Sequence, residues 1–167
     1  MPQVRYGPSS GRRRPGRRSR GRRPRLVTAA DRERLLALHE AAHAIIALAL
    51  GQLVSEVSIE PDFSGNIGHT VIPGPHAPAV FLAGPLALWL AGAHPLPEEM
   101  AGGQQFDWYA ASSECMGTAS GGWRSLYIRQ RRATIRALRR HWPETRALAA
   151  RLLRERTVYE PILPALA

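Results

Sequence analysis

Residues 34–50 read RLLALHEAAHAIIALAL, and the centre of that run, His39-Glu40-Ala41-Ala42-His43, decides how the rest of the chain is understood. Apolar residues fill nearly every other position, so a helix here is expected to be mostly buried. On a helix, residues four apart stand one above the other on one face. His39 and His43 can therefore direct two imidazole nitrogens to a single metal ion. Glu40 stands next to that face, within reach of a water on the metal's open position. Buried charge is costly unless it is paired or bound to metal, so two histidines and a glutamate in such a helix need partners. Zinc lowers the pKa of a bound water from about 16 toward about 7. HExxH is the zinc-hydrolase signature, with Zn²⁺ as the implied cofactor and Glu40 as the candidate general base.

The chain has 167 residues, which suits one domain. Its formal net charge of +10 is unevenly distributed. Residues 1–25 hold ten arginines and no acid, whereas residues 26–167 hold thirteen arginines and thirteen acids. The expected organisation is therefore a disordered arginine-rich tail, 1–25, ahead of a nearly neutral folded domain, 26–167. The tail is read first as a solvated segment; nucleic acid or an anionic surface is the partner it could attract. It contains one aromatic residue, Tyr6, and so offers no base-stacking platform. The single cysteine, Cys115, excludes a disulfide framework and a cysteine-based zinc site. No apolar run reaches the roughly 18–20 residues of a membrane span, and no secretory signal pattern opens the chain. A soluble, cytoplasmic protein is the expectation.

Thr28, followed three residues later by Asp31, predicts an N-cap with a capping-box variant; the helix it opens runs to about Leu50 and stops at Gly51. Residues 53–60 alternate in strand fashion, 61–65 read as a turn and 67–72 as a second strand, which together make a small hairpin. Residues 79–91 are an apolar helix with a kink or break near Gly84-Pro85. Residues 92–103 read as a loop, and a third helix over 104–116 carries Asp107. A basic amphipathic helix spans 124–141, and Pro143 fits the first turn of a last helix over 144–156. The fold class expected is mainly α with a small β-hairpin.

A catalytic zinc usually takes three protein ligands and keeps one position for water. His39 and His43 supply two. The residue types alone leave Asp107, Glu114, His69, His76 and His94 as candidates for the third.

Several segments together resemble the peptidase domain of the FtsH-type ATP-dependent zinc metalloproteases. The resemblance is carried by His39-Glu40-Ala41-Ala42-His43-Ala44, the strand pattern that ends at Ile59-Glu60-Pro61, and Gly68-His69-Thr70. It continues through Phe81-Leu82-Ala83-Gly84-Pro85-Leu86-Ala87, Gly103-Gln104-Gln105-Phe106-Asp107-Trp108-Tyr109-Ala110-Ala111, and the closing segment with Leu148, Leu152-Leu153 and Glu155. It covers roughly residues 30–160. It implies a zincin-like helical metallopeptidase domain, with Asp107 as the third zinc ligand. It also implies association with an ATPase module, or self-association into a ring. Two departures stand out. The family's glycine is Ala42 here, a good helix former expected to do little harm. A glutamate pair of the family is replaced by Leu88 and Trp89, which removes an acidic group from the neighbourhood of the site. The chain contains no lysine, so a phosphate-binding loop of the GxxxxGK[ST] kind is absent from these residues.

The leading expectation is a zinc metalloendopeptidase that acts on unfolded or flexible protein segments. His39, His43 and Asp107 hold the metal and Glu40 moves the proton. The rival is a non-catalytic protease homologue that serves as an interaction module, with nucleic acid as a partner through residues 1–25.

Overall fold

The computed structural model describes residues 28–61, 67–93, 98–118 and 121–159. The arginine-rich segment 1–25, the expected turn over residues 62–65 and His94 lie outside the described residues. The elements are α1 (Ala29–Ala49), β1 (Glu56–Ser58), β2 (His69–Val71), α2 (Pro78–Leu90), α3 (Glu98–Thr118), α4 (Trp123–Arg140), α5 (Trp142–Glu155) and β3 (Thr157–Tyr159). The architecture is mainly helical with a small antiparallel sheet.

α1 begins where the capping signal placed it. Thr28 Oγ1 accepts the Asp31 backbone N–H at 3.1 Å, and the Thr28 N–H donates to Asp31 Oδ2 at 3.2 Å. Two of the donors left open at the helix start are thereby satisfied. From Ala37 to Ala47 every residue except Leu38 is buried. Gly51, at φ 74°, reverses the chain at the end of the helix.

α2 is the hub, packing against α1, α3 and α4. It is apolar all round, and Ala79, Val80, Leu82, Ala83, Leu86, Ala87 and Leu88 are all core residues. Small residues on both partners, Ala41 and Ala44 on α1 and Ala83, Gly84 and Ala87 on α2, are buried, and small side chains let helix axes approach closely. The expected kink does not interrupt the element: α2 is one helix through Pro85. Proline removes a single N–H, and the surrounding core holds the helix together across that gap.

Three boundaries differ from the sequence expectation. α3 starts at Glu98, not at 104, so Gly102 and Gly103 are helical rather than loop. Glycine is merely a poor helix former and does not bar a helix. The strands are shorter than their alternating patterns, because the ladder extends only over Glu56↔Val71, Val57↔Thr70 and Ser58↔His69. The hairpin is also joined by a third strand. β1 is central, with β3 antiparallel on its other side in the register Glu56↔Tyr159, Val57↔Val158 and Ser58↔Thr157. Arg156, at φ 67°, turns the chain from α5 into β3. Its guanidinium pairs with Glu33 of α1 and Glu60 beyond β1, and its carbonyl accepts the Ile59 N–H at 2.9 Å.

Candidate metal centre

α1 supplies His39 and His43 one turn apart, and both side chains are buried against α2. Asp107, from α3, completes the group. Its Oδ2 lies 3.0 Å from His39 Nε2 and 3.4 Å from His43 Nε2, and the two Nε2 atoms are 3.0 Å apart. Donors at about 2.0–2.1 Å around a tetrahedral zinc stand about 3.3 Å from one another, so this triangle has the size of a metal's ligand set. Among the described residues these three form the one His/Cys/Asp/Glu group able to hold a metal ion, and all three are buried.

The hydrogen bonding around the group fits a cation. His43 Nδ1 lies 2.7 Å from the Val80 carbonyl, which can only accept. Nδ1 therefore carries the proton, and Nε2 of the neutral ring presents its lone pair to the cluster. Asp107 Oδ2 is buried and accepts no well-aligned hydrogen bond from the described residues, despite its closeness to both rings. A buried carboxylate oxygen without a hydrogen bond is costly unless a charge satisfies it.

In the metal-free protein a proton takes part of that role. Burial opposes the charge on His43, but the Asp107 carboxylate outweighs it, with Glu40 and the Val80 carbonyl adding, and the pKa is pushed up to about 9. Burial likewise acts against the Asp107 carboxylate, yet His43 and the neighbouring His39 hold its pKa down at about 2. The imidazolium–carboxylate pair is thus the competitor that a metal must displace.

Glu40 is buried beside the cluster, and one of its oxygens is tethered from β2. Thr70 Oγ1 lies 3.0 Å from Glu40 Oε2 and 3.2 Å from the Glu40 backbone oxygen. A cleft of about 250 Å³ opens over His39, Glu40, His43 and Asp107, with Thr70 and Phe106 on its walls.

The other candidates take different places. His69 bonds Glu56 Oε1 at 3.0 Å, and His76 meets the Phe81 ring edge-on with centroids 5.5 Å apart. Both line the cleft without joining the triangle. Glu114 is exposed on α3, and His94 lies outside the described residues. Of the two departures at the end of α2, Leu88 is fully buried in the core whereas Trp89 is 46% exposed.

Two glycines shape the site, and neither was singled out for this from the sequence. A Cβ on Gly84 would stand 2.4 Å from His43 Nε2 and 2.6 Å from His39 Nε2, so only glycine lets α2 pass over the paired rings. A Cβ on Gly68 would come within 2.9 Å of Leu36 Cδ1 and 3.2 Å of Glu40 Cγ. The available signal was Gly84 itself, a glycine in the middle of an otherwise buried helical run.

Comparison with protein-family models finds no match, and neither does comparison with curated proteins. What the structure defines is a mainly helical protein with a buried His-His-carboxylate group of metal-binding geometry. No helix among the described residues is long and apolar enough to cross a membrane.

Proposed function

We propose that the chain is a zinc-dependent endopeptidase with a zincin-like site. The observation that carries this reading is the convergence of His39, His43 and Asp107, contributed by two helices, with Glu40 one residue from the first ligand and anchored by Thr70. The resemblance to FtsH-type peptidase domains supports it through the same residues.

His39, His43 and Asp107 would hold the ion. Zinc bound there supplies Lewis acidity, which acidifies a water and polarises a carbonyl. Glu40 takes the proton from the attacking water and returns it to the leaving amine. The Thr70 hydroxyl occupies Oε2 and leaves Oε1 as the basic atom. β2 is an edge strand of the sheet, so an extended peptide can pair along its open side next to Glu40. An extended pose requires a flexible or unfolded segment. These residues contain no lysine and hence no phosphate-binding loop of the GxxxxGK[ST] kind, so any ATP-driven unfolding comes from elsewhere.

The test is Glu40→Gln. The variant retains about one zinc per chain and loses cleavage of an unfolded, fluorescently labelled protein by about 10²-fold or more. Equal cleavage by variant and parent would refute the role of Glu40. A purified protein without zinc would favour the rival, a metal-free interaction module.

A further inference from the structure

We infer that the outer face of α4 is a docking surface for the phosphate backbone of duplex nucleic acid, independent of the peptidase reading and of residues 1–25.

α4 carries seven arginines and no acidic residue. All seven are exposed, and among the described residues none has a carboxylate partner. Residues 26–167 balance thirteen arginines against thirteen acids, so with seven arginines on this helix the remainder has six arginines against thirteen acids. The charge is therefore segregated onto one element.

At 100° per residue, Arg129, Arg132, Arg136, Arg139 and Arg140 fall within an arc of about 100°, opposite the buried Thr134 and Leu138. They form a ridge about 16 Å long at 1.5 Å per residue. Arg129, Arg132 and Arg136 also border a surface hollow. Like charges three and four residues apart destabilise a helix, and a merely solvated face usually mixes both signs. A stripe of one sign calls for a partner of the other.

The character of the face selects that partner. Ile128, 50% exposed, is the one large apolar side chain on the outward side, whereas Leu126, Tyr127 and Ile135 are half-buried. A lipid surface would find a single side chain to insert, too little apolar area for an interfacial helix. Arg124 lies over the Trp123 ring, 5.3 Å from its centroid, so no free aromatic platform stacks bases. What remains is a one-sided row of guanidinium groups, which suits a phosphate track read without sequence.

The experiment uses the full chain and a fluorescein-labelled DNA duplex of mixed sequence, with anisotropy followed from about 50 to about 200 mM salt. The parent binds with a steep salt dependence and does not distinguish a second duplex of different sequence. R129A/R132A/R136A/R139A weakens binding at least tenfold at about 100 mM salt and lowers the salt slope by about 3 to 4. Alanine is the best helix former, and circular dichroism reports whether α4 persists. The matching lysine variant, R129K/R132K/R136K/R139K, keeps affinity within a few-fold, which separates charge from folding. No duplex binding by the parent, or unchanged affinity and slope in the alanine variant, would overturn the inference. So would tighter retention on vesicles of acidic phospholipid than on the duplex, lost in the alanine variant.

Discussion

At the scale of single residues, the site depends on one side chain that is missing. Gly84 brings α2 so close to His39 and His43 that a methyl group would overlap both rings. Gly84→Ala improves intrinsic helix propensity by about 1 kcal/mol, yet overpacking costs typically about 1–3 kcal/mol. Here the atoms that must give way are the two candidate ligand nitrogens, and the His43 ring is held by the Val80 carbonyl. The expected outcome is a zinc affinity lowered by tenfold or more, measured by chelator competition, with a modest change in melting temperature. Undiminished affinity would show that the rings can move aside. His39, Glu40 and His43 were legible in the sequence because their relation is local, whereas the demand on Gly84 comes from a neighbouring helix.

At the scale of elements, β2 holds the glutamate in place. The register that pairs Val57 with Thr70 turns the Thr70 hydroxyl onto Glu40. A slip of one residue would send it to the other face of the sheet. Thr70→Val keeps the shape and removes the one hydroxyl proton that the two Glu40 oxygens share. It should cost about 1 kcal/mol of stability. It should also lower kcat/KM for peptide cleavage by about 10-fold or more while zinc content stays constant. Parallel assays of kinetics and metal content check this, and unchanged kinetics would show that Glu40 needs no tether. The alternating pattern over residues 53–60 announced a strand, but its length was set by its partners. β3 was missed because three residues, Thr157–Tyr159, are too few to show a period.

At the scale of the whole molecule, the cluster joins positions 39 and 107 across α2, which packs against both α1 and α3. Without metal, the link is the His43–Asp107 ion pair. The folded-state pKa of His43 is raised from 6.5 to about 9, so its contribution is complete below pH 6.5 and fades as the pH rises through about 9. Asp107 is lowered from 3.8 to about 2, so its contribution is present above pH 3.8 and is lost as the pH falls through about 2. Metal-free protein should therefore become progressively less stable between pH 6.5 and 9, as read from denaturation midpoints. Zinc at about 100 times its Kd should add about 2.7 kcal/mol, most readily at the alkaline end where fewer protons have to be displaced. Asp107→Asn should abolish that gain, and a zinc effect of equal size in the variant would exclude the carboxylate as a ligand.

The sequence by itself determined what lies within a helical turn or two: the paired histidines with their glutamate, the Thr28–Asp31 cap, the buried run of α1 and the basic stripe of α4. These follow from the 3.6-residue period and from capping chemistry, which act between near neighbours. Residue types left five candidates for the third position and the resemblance pointed to Asp107; tertiary structure brings Asp107 to the pair and leaves His69, His76 and Glu114 aside. It also decided that Gly84 must be bare and that a third strand joins the sheet. Such relations depend on how helices and strands far apart in the chain pack together, and no local pattern encodes that distance.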